Sequence, residues 1–235
     1  MKHLSRIHFA VIILILSSLI MHYVYFTNTG NFNSPIIEYE FATTSDDVKN
    51  IFMKDNEFRK DIIQGVHDQN IVDYLYMVVY SLLLLFFFAR VKEFEKNKLY
   101  FFGAVFAILA LITDSIENIL LFNISELLTT RNNFSSEIDI LFIITRIKWF
   151  SIAIALLFAS FHYIKYNILG KAFAVLSSIP FIFGTIYFLI QNEVFLKLFT
   201  SSIMLGFVIL IIWVFIPKND NKAISFYKEI PFKSV

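Results

Sequence analysis

Residues 100–122 read YFFGAVFAILALITDSIENILLF, an apolar run of helical length that carries Asp114, Glu117 and Asn118 in its second half. A helix needs roughly 20 apolar residues to cross a hydrocarbon core of about 30 Å. The chain contains five further runs of this kind, so we predict an all-α integral membrane protein with a bundle of six transmembrane helices. The predicted spans are residues 7–26, 71–89, 100–122, 140–164, 172–190 and 195–216.

The composition favours the same class of protein. Of the 235 residues, 57% are hydrophobic and only 17% are charged, whereas a soluble domain is about a quarter charged. The chain has no cysteine, which excludes disulfides, thiolate metal sites and thiol catalysis. Its net charge of +1 does not indicate nucleic-acid binding. The expected partners are therefore membrane lipids.

The basic residues predict how the protein is oriented, because short loops rich in lysine and arginine stay in the cytoplasm. Lys2 and Arg6 precede the first span, four basic residues separate the second span from the third, and four lysines follow the sixth. With six spans all of these lie on one side. We therefore predict a multi-pass protein of the cell membrane with both termini in the cytoplasm and a cytoplasmic tail at residues 217–235. The first apolar run is too long for the hydrophobic region of a signal peptide, so we interpret it as a retained span.

The longest water-exposed segment, residues 27–70, is then a single extracytoplasmic cap on one membrane domain. It begins with a strand-like alternation at residues 36–41, and Thr44 or Ser45 offers a helix N-cap. Apolar stripes that include Ile51 and Phe52, and then Phe58 and Ile62, predict two short amphipathic helices. An interfacial cap and a lid over a site both fit this pattern.

Charged residues inside a membrane cost roughly 2.5–3.5 kcal/mol each on insertion scales, so each needs a reason. The predicted orientation places six of them in the outer half of the membrane. These are Asp73, Asp114, Glu117, Arg146, Lys148 and Lys197.

Helical phase predicts which of these charges face one another, because residues three and four apart share a face. Asp114, Glu117 and Asn118 share a face with Gly103, Ala107 and Ala110, whose small side chains allow close helix packing. Lys148 shares a face with Ser151, Ala155 and Ala159 in the same way. Arg146 lies on nearly the opposite side of its helix, so we expect it to serve another neighbour or to reach outward to lipid headgroups.

These positions predict an outward-facing polar pocket that binds a lipid-like or amphiphilic molecule. Asp114 and Glu117 would be its acid/base or ion-binding groups, and Lys148 would be their counter-ion or an anion anchor. The same groups would also permit acid/base modification of the ligand. We predict no metal ligands, and the remaining ligand-binding residues would be Asp73, Asn118, Tyr76, Trp149 and His22.

Two alternatives stay open. Three acids and three bases among the six intramembrane charges form a balanced set, which would suit a non-enzymatic immunity, assembly or structural factor whose ion pairs only fix helix packing. A small transporter is the second alternative, although the inner halves of the predicted spans are nearly free of charge. The sequence contains no His-Glu-x-x-His, Gly-x-Ser-x-Gly or phosphate-binding Walker motif that would name an enzyme class or cofactor.

Four short motifs occur in order along the chain. They are IEYEFATT at residues 37–44, DYL at 73–75, DSIEN at 114–118 and RIKW at 146–149. In this arrangement the chain resembles small uncharacterised bacterial polytopic membrane proteins. The resemblance implies that the acidic positions and the Lys148–Trp149 pair belong together, and it implies no activity.

Overall fold

In a computed structural model, residues 6–31, 33–55, 57–130 and 134–215 are described, without the side chains of residues 129 and 130. Six of the helices in these residues are long and apolar enough to cross a membrane, which confirms the six-helix prediction and indicates a multi-pass membrane protein. The tail predicted at 217–235 lies outside the described residues. The elements are α1 (Arg6–Thr29), α2 (Ile36–Glu40), α3 (Ser45–Phe52), β1 (Met53–Lys54), β2 (Glu57–Phe58), α4 (Lys60–Glu95), α5 (Leu99–Thr130), α6 (Ser135–Tyr163), α7 (Ile168–Ile190) and α8 (Glu193–Phe215).

Several helices continue beyond their predicted spans. Helix α4 begins at residue 60 rather than 71, and α5 ends at residue 130 rather than 122. The added turns are polar on one side, but Ile62, Val66, Ile124 and Leu128 on them are buried in a common apolar core. Their apolar face is therefore stabilised by packing against protein, and hydropathy alone does not detect it.

The strand-like start predicted at residues 36–41 is wrong, because helix α2 occupies this stretch. Consecutive side chains of a strand point to opposite faces, whereas Tyr39 and Glu40 are both buried, at 0% and 7% exposure. The Tyr39 hydroxyl donates to the Leu121 carbonyl oxygen at 2.8 Å and lies 3.1 Å from Ser125 Oγ. Burial raises the pKa of this phenol, although the Ser125 hydrogen bond opposes the rise. The tertiary contacts of Tyr39 and Glu40 thus favour a helix, although the local alternation of apolar and polar residues favours a strand.

The first of the two predicted amphipathic helices is confirmed as α3. Its N-cap is Thr44, whose Oγ1 accepts a hydrogen bond from Asp47 N at 3.1 Å, while Asp47 Oδ2 accepts one from Thr44 N at 2.9 Å. This reciprocal capping box satisfies two backbone donors at the helix start. The second predicted helix is wrong: Phe58 lies in the β1–β2 hairpin, and Ile62 and Ile63 lie in the first turn of α4.

The chain forms two compact units. The α2–α3 unit consists of Ile13–Ser81 and Leu109–Trp149, and the α7–α8 unit consists of Leu82–Ile108 with the described residues before 13 and after 149. Helices α1, α4, α5 and α6 each contribute residues to both units.

The α2–α3 unit has an apolar core around Tyr39 and Phe52, whose rings meet edge to face at 4.9 Å. Residues of α1, α4, α5 and α6 complete this core. The short segment between α1 and α4 could bury too little apolar surface to fold alone. It is held in place because it shares its core with the long helices.

In the α7–α8 unit, helices α7 and α8 pack against each other as a hairpin. A Cβ atom at Gly184 of α7 would lie only 2.7 Å from the Phe199 ring, so this close approach requires a glycine. A Cβ atom at Gly206 of α8 would lie 2.6 Å from the Leu156 side chain. Small residues thus let these apolar helices approach closely, as is common in membrane proteins.

Candidate functional site

Lys148 lies at the centre of a buried charged cluster in the α2–α3 unit. The residue is 5% exposed, and its ammonium contacts carboxylates from two other elements. Nζ donates to Glu117 Oε2 on α5 and to Glu40 Oε2 on α2, the latter at 3.0 Å. Asp114 Oδ1 on α5 lies 3.5 Å from the same nitrogen. We call Glu40, Asp73, Asp114, Glu117 and Lys148 the carboxylate cluster.

Helix α5 supplies two of these carboxylates because of its phase. Asp114 and Glu117 are buried on the same face as Gly103, Ala107 and Ala110, as the sequence indicated. Ile112 and Ile116, on the other side of the helix, are exposed. The structure therefore places Asp114 and Glu117 against Lys148.

Neutral donors hold three of the carboxyl groups. Tyr80 Oη donates to Asp114 Oδ2 at 2.7 Å, and Thr145 Oγ1 donates to Glu117 Oε1 at 2.5 Å. Trp149 Nε1 donates to Glu40 Oε2 at 2.9 Å. Asp114 Oδ1 is buried and accepts no hydrogen bond from any described residue.

Asp73 forms the less buried edge of the cluster. Asn118 Nδ2 donates to Asp73 Oδ2 at 2.8 Å, and the Asn118 carbonyl oxygen in turn accepts from Asn70 Nδ2 at 3.1 Å. Tyr76 follows Asp73 by three residues on α4, and its ring lies 5.7 Å from that of Tyr80. Both Asp73 and Tyr76 are half-buried, so this edge is more accessible than the surroundings of Lys148.

The charges of the cluster are not balanced. Three carboxyl groups, those of Glu40, Asp114 and Glu117, share the ammonium of Lys148, and the fourth, that of Asp73, is bonded by the neutral amide of Asn118. No second ammonium lies within ion-pair distance of these carboxyl groups among the described residues. The expected balance of three acids with three bases is therefore wrong. Arg146 instead donates to the Phe142 carbonyl oxygen at 2.9 Å, and Lys197 pairs with Glu193 at 2.5 Å on an exposed part of α8. Helix packing decides which carboxylate each basic side chain meets. The membrane depth predicted from the sequence does not show this.

His22 does not join the cluster. Its side chain is exposed on α1, whose buried positions include Leu14, Ser17 and Tyr25. Each of the other predicted site residues takes part in it or lies beside it. These are Asp73, Tyr76, Asp114, Glu117, Asn118, Lys148 and Trp149.

Glu40 and Thr145 were not identified as site residues from the sequence. The sequence around Glu40 indicates the polar side of a water-exposed strand, and no sequence pattern indicates its contact with Lys148, 108 residues away. Thr145 does carry a signal, because it precedes Lys148 by three residues on α6. Tyr80 was indicated by the face of α4 that it shares with Asp73 and Tyr76.

The carboxylate cluster does not have the form of a metal site. Within the part of the chain that the structure describes, no three histidine, cysteine, aspartate or glutamate side chains are placed to hold a metal ion. The carboxylates converge on the Lys148 ammonium instead. The arrangement can bind a proton or a cationic group, and it can exchange protons through the Tyr80–Asp114 hydrogen bond.

A second buried polar cluster lies in the α7–α8 unit and was not expected from the sequence. His162 is fully buried, and its Nδ1 lies 2.5 Å from Glu95 Oε1. Glu95 Oε2 accepts hydrogen bonds from Lys165 and from Tyr100 Oη, the latter at 2.7 Å. The predicted span 71–89 ended before Glu95, so Glu95 was not counted among the intramembrane charges.

Aromatic rings surround the imidazole of this second cluster. The His162 ring lies 5.1 Å from that of Tyr166, 5.7 Å from Phe87 and 5.8 Å from Trp213. Trp213 comes from α8, so the pair is enclosed by side chains of several helices of its unit.

The carboxylate cluster, with its surplus of acid, is thus the main candidate site. The chain matches no protein-family model, no curated protein sequence and no solved structure.

Proposed function

We propose that the protein is a multi-pass protein of the cell membrane, with both termini in the cytoplasm and the segment between α1 and α4 as an extracytoplasmic cap. The distribution of lysine and arginine supports this orientation. Large apolar side chains exposed on the long helices support contact with lipid, among them Leu19, Phe101, Ile143 and Leu189.

The carboxylate cluster is proposed to be an outward-facing intramembrane site that binds a lipid-like or amphiphilic molecule. The observation that carries this proposal is that the cluster contains four carboxyl groups and, among the described residues, one ammonium, in a buried setting. Pairing that only fixed helix register would not need this surplus, because an uncompensated buried charge is strongly destabilising. The missing positive charge has to be supplied by bound protons or by a ligand.

The residues divide into an accessible edge and a buried centre. Asp73 and Tyr76, both half-buried, would meet the polar part of the ligand first. Asp114 and Glu117 would be the proton-exchanging pair, with Lys148 as their counter-ion. Tyr80, which bonds Asp114 directly, would extend the same proton path. This set would also permit acid/base modification of the ligand.

The structural alternative is supported by a different observation. Lys148 ties α2, α5 and α6 together through Glu40, Glu117 and Asp114, as a purely architectural ion network would. The transporter alternative is favoured by the buried Glu95–His162 pair, because acidic and histidine side chains recur in proton relays of membrane proteins.

One experiment separates the leading proposal from the structural alternative. Asp114→Asn and Glu117→Gln, singly and together, are compared with Glu193→Gln, an exposed carboxyl on α8 as the matched control. Each protein is purified from bilayers of defined phospholipids, and native mass spectrometry measures retained lipid while a thermal scan measures stability. We expect near-normal thermal midpoints with lost lipid retention for the cluster variants. Lowered midpoints with unchanged lipid retention would instead establish a structural role.

The transporter alternative has its own measurement. Proteoliposomes that contain the wild-type chain and a pH-sensitive dye receive an external pH step. No proton flux above that of empty liposomes is expected. A flux that is abolished by Glu95→Gln would favour transport over one-sided binding.

A further inference from the structure

We propose that the ligand of the carboxylate cluster carries a primary ammonium group, which enters beside Asp73 and bonds Asp73 and Asp114. This inference rests on the proposed function and names the chemical class of its ligand. It rests on the charge surplus, on an unsatisfied buried oxygen and on the arrangement of the accessible edge.

The surplus of carboxyl groups indicates the sign of the charge that the ligand carries. Lys148 is already shared among Glu40, Asp114 and Glu117, so it offers no further full charge to Asp73. Asp73 is bonded by the neutral amide of Asn118. A buried carboxylate without a cation is costly, and a ligand that brings a positive charge would remove that cost. An anionic head group would increase the imbalance.

The unsatisfied oxygen defines the kind of cation. Asp114 is 3% exposed, and its Oδ1 accepts no hydrogen bond among the described residues, although the Lys148 nitrogen lies 3.5 Å away. A buried acceptor that receives no hydrogen bond is destabilising. A primary ammonium supplies three N–H donors, whereas a quaternary ammonium supplies none. The orphaned oxygen therefore favours a group that donates hydrogen bonds.

The accessible edge defines where the ligand enters. Asp73 and Tyr76 share one face of α4, and both are half-buried. The Tyr76 ring lies 5.7 Å from that of Tyr80, which is bonded to Asp114. Aromatic faces attract ammonium groups, and the attraction grows when water is excluded. A carboxylate and the Tyr76 ring at this edge, with the buried Tyr80 ring behind them, thus form a suitable entrance for an amine.

A metal ion is the competing cation, and the geometry favours it less. Metal binding needs several ligand atoms around one empty point, and no such group of three side chains exists in the described ranges. Three carboxylates already surround the Lys148 ammonium, and the fourth, Asp73, is left as the group that an incoming ammonium would bond.

The test uses the full chain in bilayers that contain equal amounts of three lipids with identical acyl chains, whose head groups are ethanolamine, choline and glycerol. Native mass spectrometry measures which lipid stays bound after release into detergent. We expect the ethanolamine lipid to be retained about tenfold over each of the others, which corresponds to about 1.4 kcal/mol. Asp73→Asn and Asp114→Asn are expected to abolish this preferential retention, and Glu193→Gln to leave it unchanged.

A second series of measurements uses only the wild-type chain, so its result does not depend on whether a variant folds. The ethanolamine head group is methylated once, twice and three times, and retention by the wild-type chain is expected to fall at each step as N–H donors are lost. Free ethanolamine in excess separates the two sources of the amine. If it displaces the lipid, the ammonium alone is recognised; if it does not, the acyl chains are needed as well.

The outcomes distinguish this inference from the proposed function. Equal retention of all three lipids that Asp114→Asn abolishes would overturn the ammonium inference and leave the amphiphile site intact. Absence of any retained lipid would overturn both. Retention that depends on added Mg²⁺ or Na⁺ rather than on the head group would replace the amine with a metal ion.

Discussion

At the scale of single residues, Lys148 decides how the α2–α3 unit holds its charges. One buried ammonium touches carboxylates from α2 and α5, and the surrounding donors Tyr80, Thr145 and Trp149 each bond one of these carboxylates. Because the acids outnumber the base, removing an acid and removing the lysine should have different effects on stability. Loss of one acid lowers the surplus, whereas loss of the lysine leaves every acid without its cation.

We therefore expect Lys148→Met to destabilise the protein by about 3–5 kcal/mol, because it leaves buried carboxylates uncompensated. For a chain of this size the thermal midpoint shifts by about 2–4 °C per kcal/mol. Differential scanning fluorimetry in detergent measures this shift. The control is Lys197→Met, which breaks an exposed pair on α8 and should change stability by less than about 0.5 kcal/mol. Similar midpoints for the two variants would contradict a central role for Lys148.

At the scale of elements, helix α2 shows how a short segment gains a fixed position. Only five residues long, it places Tyr39 in the apolar core and Glu40 on Lys148. Helix α3 follows at once and is fixed at its start by the Thr44–Asp47 capping box. The capping box thus supports the segment that delivers Glu40 to the carboxylate cluster.

We expect Asp47→Asn to lower stability at neutral pH by about 1 kcal/mol, because it weakens this cap. Burial alone would raise the pKa of Asp47, but hydrogen bonds from Thr43 and Thr44 bring it below its ordinary value of 3.8. A carboxyl with a lowered folded-state pKa stabilises the protein above its unfolded-state pKa, and this contribution is lost as the pH falls through the folded-state pKa.

Thermal scans from pH 7 down to pH 3 check both statements. The difference between wild type and Asp47→Asn should shrink as the pH falls below about 4. Asp46→Asn, a neighbouring exposed carboxyl outside the capping box, is the control and should show little difference throughout. A difference that grows on acidification would contradict this account.

At the scale of the whole molecule, two compact units each enclose a buried polar group: the carboxylate cluster in one and the Glu95–His162 pair in the other. Helix α4 belongs to both units, and its 36 residues span about 54 Å, more than the roughly 30 Å of a hydrocarbon core. Its two ends should therefore lie on opposite sides of the membrane.

The absence of cysteine from the chain makes this testable by single-cysteine labelling. Lys54→Cys places a thiol in β1, and Asn97→Cys places one between α4 and α5, both at exposed positions. In intact cells a membrane-impermeant maleimide should label Lys54→Cys, whereas Asn97→Cys should react only after permeabilisation, because the lysines around it favour the cytoplasm. The reverse pattern would invert the orientation, and labelling of both from outside would rule out a crossing by α4.

Much of the site was predictable because the periodicity of α5 is strong. Asp114, Glu117 and Asn118 fall on a face of small residues, and that phase already indicated that they are buried. The partners of Lys148 were only partly predictable. Its contacts with α5 follow from phase, whereas Glu40 comes from a short helix whose sequence alternates like a strand.

The sequence by itself determined the six apolar helices, since their length and hydropathy are local properties that bilayer thickness selects. Only the tertiary structure decided which charges meet. Arg146 and Lys197 were predicted at the same membrane depth as the carboxylate cluster, but they bond Phe142 and Glu193. Glu40 joins the cluster from a segment that the sequence predicted to lie in water. The reason is that phase and hydropathy describe one element at a time, while the balance of a buried charge depends on every element packed around it.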